Sequence, residues 1–346
     1  MLMVKPQHAI SLQAHLALES RPLFRLILYW IRLLIAAKHS REYNLLVPEQ
    51  SPPEFVRPGE LNMKTHKITG GGGVQLHVVE TGNPKGRPIL FIHGVSQCRL
   101  TWIRQLDSKL ADDHRLVALD MRGHGLSEKP ANAYGDSKLW ADDVNAVITT
   151  LGLDHPVLSG WSYGPLLIFD YIRHYGEDQI GGIQLIGGVT KLGGEDAMAA
   201  LTPEFIALVP QFLSPDAETS RRGLEGLLKL CFAQPPSNSD LAQMLEYNVL
   251  VPSHVRQGLF SRAFSNDDIL RKIRKPVLIT HGEKDAIVKV AVVDQHKAAM
   301  RHAQVQLMPG IGHAAFWEDA PGFNERLHAF CENLATARSA DALAAS

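Results

Sequence analysis

Cysteine is scarce. The chain holds three, Cys98, Cys231 and Cys331, odd in number and far apart. They cannot make a disulfide framework, and none pairs with histidine at the close spacing of a zinc site. Each reads as a small buried hydrophobe in a reduced, cytoplasmic setting, and neither a metal nor a cofactor is expected. Charge of one sign is lacking too: 35 basic against 36 acidic residues leave a formal charge of −1. That gives no electrostatic case for nucleic acid. A long apolar run is also missing. Leu23 to Ala37 is interrupted by Arg25 and Arg32, whereas a membrane span wants about 20 uninterrupted apolar residues. What is plentiful is core material: 45% of the 346 residues are hydrophobic, enough for one large or two small domains and incompatible with a disordered body.

Residues 1–62 stand apart. Arg32 lies inside the apolar run, and Ile35-Ala36-Ala37 fits a signal-cleavage site poorly, so an uncleaved chain is expected. On a helix of about 100° per residue, Arg21, Arg25, Arg32 and His39 fall within about 40° of one another. The remaining faces carry Leu23, Phe24, Ile27, Trp30 and Leu33, too apolar to stay in water. The expected cover is the protein's own cap, a second subunit through dimerisation, or the surface of a membrane in peripheral contact. Pro48, Pro52, Pro53 and Pro58 then form an extended linker.

From residue 63 strands and helices alternate. Lys64 to Ile68 and Val74 to Glu80 read as strands joined by four glycines. No Lys-Ser/Thr pair or helix follows those glycines, so the reading is a mobile hairpin turn and not a phosphate loop. Pro88 to Ile92, Leu116 to Leu119, Ile180 to Ile186, Pro276 to Thr280 and Val305 to Met308 are short apolar runs, the pattern of strands covered on both faces. Helical stretches separate them. The expected fold is therefore α/β, a doubly wound, mostly parallel sheet. Between Gly193 and Asp268 the rhythm changes to several helical patterns without a convincing strand. The expected division is a helical extension and linker at 1–62, a core at 63–192 and 269–336, a helical insertion at 193–268, and a frayed tail at 337–346.

The most informative stretch is Val157 to Leu166. A buried strand ends in Gly160-Trp161-Ser162-Tyr163-Gly164, and a helical pattern starts at once. A strand can turn into a helix this tightly only if the central residue accepts a strained backbone and its flanking glycines carry no bulk. Ser162 is then exposed at the tip. A serine hydroxyl needs a base, and the base an orienting carboxylate. Asp285 and His313 follow in that chain order, each just beyond a strand end, where open α/β sheets collect their catalysts.

With these residues the chain resembles the α/β-hydrolase superfamily, in particular its small serine esterases and cofactor-free haloperoxidase-like members, over about Lys64 to Leu334. The resemblance implies an eight-stranded sheet with 193–268 as a cap, and a catalytic triad of Ser162, Asp285 and His313. It favours Asp285 over the neighbouring Glu283 by the Gly-x-x-Asp spacing. It implies an oxyanion hole from the backbone N–H groups of Val95, after His93-Gly94, and of Tyr163, with the side chains at both positions facing the pocket. Arg122 and His124, in Asp120 to Ser127, read as loop clamps, and His93 as a brace for the oxyanion loop. Trp102, Trp161 and Phe316 are candidates to bind substrate, with Tyr163 and Trp317 as further aromatic wall. Pro165, directly after the second elbow glycine, departs from the family's usual small residue.

Serine at the elbow implies a carbonyl substrate. Epoxide hydrolases and haloalkane dehalogenases share the fold but need a carboxylate there. The leading expectation is a carboxylic-ester hydrolase acting on a small-molecule ester through an acyl-enzyme. A carbon-carbon bond hydrolase of diketones, a perhydrolase, and a catalytically silent binding protein remain as alternatives.

Overall fold

This computed structural model describes residues 63–344, with side chains to Leu334. The expected amino-terminal helix and proline-rich linker lie outside the described residues. Eight strands form one sheet: β1 (Lys64–Thr69), β2 (Gln75–Gly82), β3 (Arg87–Ile92), β4 (His114–Asp120), β5 (Val157–Trp161), β6 (Gly182–Ile186), β9 (Val277–Gly282) and β10 (Gln304–Met308). Their order is β1-β2-β4-β3-β5-β6-β9-β10. Only the β1/β2 and β2/β4 pairings are antiparallel; from β4 to β10 the sheet is parallel. Every residue of β5, β6 and β9 is buried. Apolar runs without alternation are what a sheet covered on both faces requires.

Helices α1 (Ile103–Leu106), α2 (Leu110–Asp113), α3 (Ser137–Thr150) and α4 (Gly164–Tyr175) belong to the first half of the sheet. Between β6 and β9 the chain forms α5 (Glu195–Ala199), α6 (Pro203–Phe212), α7 (Ala217–Leu230), α8 (Asn238–Val249), α9 (Ser253–Phe260) and α10 (Asp267–Leu270). One short ribbon interrupts them: β7 (Lys191–Leu192) pairs with β8 (Phe264–Ser265). Two residues per strand are too few to leave a period in the sequence, and the pattern there reads as helix alone. Then come α11 (Val292–Ala299), α12 (Ala315–Glu318) and α13 (Ala320–Ala344).

Two expectations need correction. Alanine-rich sequence continues α13 to Ala344 where a frayed tail was expected at 337–346. The four-glycine hairpin is not a mobile turn: Gly71 N–H donates to Asp143 Oδ1 at 2.9 Å, and Gly71 O accepts from Arg122 Nη2 at 2.9 Å. The clamp is a buried ion pair, Arg122 Nε to Asp143 Oδ2 at 2.7 Å. Arg122 also holds Leu139 O and Ala133 O. Burial of both charges is tolerable because their hydrogen-bonding capacity is largely used.

Candidate active site

Ser162 sits where β5 passes into α4, with φ at +57°. That conformation costs a non-glycine residue about 1 kcal/mol or more, so its surroundings must enforce it. Ser162 N–H donates to Ile186 O at 2.9 Å, and Ser162 O accepts from Val189 N at 3.1 Å. A Cβ on Gly160 would lie 2.7 Å from Pro165 N, and one on Gly164 2.4 Å from Ile92 O. The elbow therefore closes only with glycine at both positions. Pro165 occupies the first turn of α4, where the missing N–H leaves no bond unmade.

Beyond β9, Asp285 is held by four donors. Its Oδ1 accepts from Ile287 N at 2.8 Å and Val288 N at 2.9 Å. Its Oδ2 lies 2.7 Å from His313 Nδ1 and 3.2 Å from His281 Nε2. His281 Nε2 also faces Val288 O at 3.0 Å. With two acceptors around it, that nitrogen carries its proton, and burial first of all pushes His281 below the ordinary histidine range. The carboxylate likewise fixes the proton of His313 on Nδ1. His313 Nε2 is left as a lone pair, buried and without a protein partner. Serine and histidine are each held against the end of β6. A Cβ on Gly187, next to the Ile186 that anchors Ser162, would lie 2.8 Å from His313 Nδ1. Trp161 Nε1 donates to His313 O at 3.0 Å from the other side.

The loop after β3 passes just as close, since a Cβ on Gly94 would be 3.1 Å from Ser162 Cβ. Two buried histidines shape it. His93 Nε2 accepts from Met121 N at 3.1 Å, so its Nδ1 carries the proton that goes to Gly94 O at 2.8 Å. His124 Nε2 accepts from Ser96 N at 3.2 Å, and its Nδ1 donates to Arg122 O at 2.9 Å. Both roles need neutral rings. Burial supplies the cause, pushing His93 down to about 4 and His124 well below the ordinary range. Among the described residues no protein acceptor takes the backbone N–H of Val95 or of Tyr163. Tyr163 directly follows Ser162 in the chain, and Val95 directly follows the Gly94 that packs against Ser162.

A narrow apolar cleft opens between the sheet and the helical insertion. Trp161, Phe316 and Trp317 line it from the core, and Cys231, Met244 and Tyr247 from the insertion. Gln97 is its polar corner, with Nε2 3.4 Å from Asn248 Oδ1. Two sequence-based expectations shift here. Trp102 does not line the cleft: it is fully buried, 5.0 Å from Phe91 and 4.5 Å from Phe316 between ring centroids, and backs Phe316 from behind. The Tyr163 side chain, expected to face the pocket, reaches instead into the insertion, its hydroxyl donating to Leu259 O at 3.2 Å and accepting from Arg262 Nη1 at 3.4 Å. Arg262 in turn grips Asp170 of α4 with contacts of 2.8 and 2.7 Å.

The His313 loop is tied down by a group the sequence reading places only at a helix start. Glu318 Oε1 accepts from Gly312 N at 2.8 Å, and Oε2 accepts from Ala233 N at 3.0 Å and Gln234 N at 2.9 Å. One carboxylate thus bridges the residue before His313 to the segment after α7. Ala314 N adds a bond to Cys231 O at 2.8 Å. From the core side, Gln105 holds Phe316 O and Arg104 holds Trp317 O, each at 2.8 Å. Glutamate at that position has no motif signal, because two of its three backbone partners are 84 and 85 residues away.

A family model described as alpha/beta hydrolase fold matches residues 87–320. A non-heme haloperoxidase of Rhodococcus erythropolis is 27% identical over 292 residues, spanning 77% of this chain and 99% of that protein. A bifunctional esterase/perhydrolase of Acinetobacter calcoaceticus is 27% identical over 279 residues, 76% of this chain and 98% of its own. Among solved structures, the esterase RhEst1 from Rhodococcus sp. ECU1013 superimposes with a TM-score of 0.74 at 32% identity, covering 78% of this chain and 99% of that one.

Proposed function

The chain belongs to the α/β-hydrolase fold family, and we propose that it is a serine hydrolase that cleaves carboxylic esters through an acyl-enzyme. One observation carries the reading: a buried histidine whose Nδ1 is committed to Asp285 and whose Nε2 is a bare lone pair, beside a strained serine and two free backbone donors. In this mechanism His313 Nε2 takes the Ser162 Oγ proton as Oγ bonds to the ester carbonyl carbon. The carbonyl oxygen becomes an oxyanion, held by the N–H groups of Val95 and Tyr163. Each fixed donor of this kind is worth about 10²–10³ in rate. Collapse breaks the carbon–oxygen bond to the alcohol, and His313 returns the proton to that leaving oxygen. Water, deprotonated by the same nitrogen, then releases the acid and restores the serine.

The helices between β6 and β9 act as a cap, and the aromatic ring of Trp161 beside His313 favours an apolar acyl or aryl group. Hydrogen peroxide in place of water would give a peracid from the same acyl-enzyme, a branch supported by the resemblance to the esterase/perhydrolase. Hydrolysis rates across p-nitrophenyl esters of graded chain length, with and without peroxide, test the proposal. Turnover of at least one member is expected. No turnover across the series, with the protein folded, would refute it.

A further inference from the structure

At the opposite end of the sheet, three side chains converge that the catalytic reading does not use, with Asp113 nearby. His114 is the first residue of β4, and Asp113 the last of α2. His328 and Glu332 are four residues apart on α13, hence on one face of that helix. His114 Nε2 and His328 Nδ1 lie 3.0 Å apart, and Asp113 Oδ2 is 3.8 Å from His328 Nδ1. One ligand atom from each of His114, His328 and Glu332 falls within 4.8 Å of the others. We propose that His114, His328 and Glu332 bind one divalent transition-metal ion, with water in the remaining position, zinc by the chemistry of the set.

Tetrahedral zinc, with bonds of about 2.0–2.2 Å, spaces its ligand atoms by about 3.3–3.5 Å. His328 and Glu332, partly and well exposed, have room to adjust to that spacing around a His114 fixed by burial. Two imidazoles select zinc and its neighbours over magnesium and calcium, which favour oxygen alone, and the Glu332 carboxylate offsets part of the ion's charge. The exposed helix face gives the ion an entry path.

The role that follows is structural. From His114 to Asp120 at the catalytic end of β4 is six residue steps, about 20 Å at about 3.3 Å each. A bound ion would staple α13 to the edge where β4 begins. The sequence reading, which expects no metal, could not see the site, because the two histidines are 214 residues apart.

The test uses the full chain, stripped with EDTA and dialysed. Calorimetric titration with zinc chloride is expected to give one ion per chain, and cobalt(II) the visible absorption of a tetrahedral complex. Zinc at about 100-fold over Kd should raise Tm by about 5 °C. His328→Ala should weaken zinc at least tenfold, and magnesium should produce neither heat nor a Tm shift. If His328→Ala does not fold, Glu332→Gln, a change at an exposed residue, carries the same comparison. Absence of zinc binding, or equal affinity in wild type and the folded variants, overturns the proposal.

Discussion

Ser162 is the only residue among the proposed catalytic three that the chain must strain to present, and its neighbours rather than its own chemistry hold it at φ +57°. Alanine accepts that backbone no worse than serine, so Ser162→Ala should fold normally and lose ester turnover by about 10⁴-fold or more. His313→Ala should be similarly severe. The double variant should be scarcely worse than either single one, because the residues act as a unit; losses that multiply would contradict the assignment. Asp285→Asn should fall between these and wild type. Its effect is predicted to exceed that of Glu283→Gln, since it is Asp285 that is hydrogen-bonded to the His313 ring, at 2.7 Å. Steady-state kinetics on a p-nitrophenyl ester measures all five variants. The turn at Ser162 and the pairing of Asp285 with His313 were legible in the sequence because each lies at a strand end in a short local pattern. Trp102 was misread for the converse reason: an aromatic's type and position do not say which side of a neighbouring ring it packs on.

At the scale of elements, the sheet was legible and the ties between sheet and insertion were not. Strands such as Val277–Gly282 declare themselves as apolar runs between turn residues. The Arg262–Asp170 pair and the Glu318 bridge join positions 92 and 84–85 residues apart, and nothing in a single sequence links them. The Glu318 bridge makes a sharp prediction. Glu318→Gln turns an amide NH2 toward backbone N–H donors, while a bond to a charged acceptor is worth about 1.5–3 kcal/mol. A fall in kcat of about tenfold or more is expected, from a less well fixed His313 loop, with the fold retained. Stopped-flow ester turnover together with circular dichroism checks it; unchanged kcat in a folded variant would mean that the loop holds itself.

For the whole molecule, several buried histidines make stability depend on pH. His93 and His296 are each pushed down to about 4, chiefly by burial. Above about pH 6.5 both are neutral folded and unfolded, and contribute no slope. Below it the unfolded chain takes up protons that the folded chain refuses, so stability falls as pH drops from about 6.5 toward 4. Between pH 7.5 and 5 each ring should remove about 2 kcal/mol. Asp170, pushed up to about 6 by burial, works in the opposite direction and returns about 1 kcal/mol over the same interval. Urea unfolding at the two pH values should therefore show a net loss of stability at pH 5, and a flat profile would contradict neutral burial of these rings. The amino-terminal segment carries a second prediction at this scale. Deleting residues 1–60 should leave ester turnover intact while lowering solubility or changing co-sedimentation with liposomes; a truncated enzyme equal to the full chain in all three would show that the segment covers nothing. The central claim, an acyl-enzyme on Ser162, is tested most directly by labelling the full chain with a p-nitrophenyl phosphonate and mapping the adduct by peptide mass spectrometry. The account predicts one phosphonyl group per chain, on the peptide holding Gly160 to Gly164, absent from Ser162→Ala, with loss of turnover in step with labelling. A label on another residue, or full turnover in the labelled protein, would contradict it.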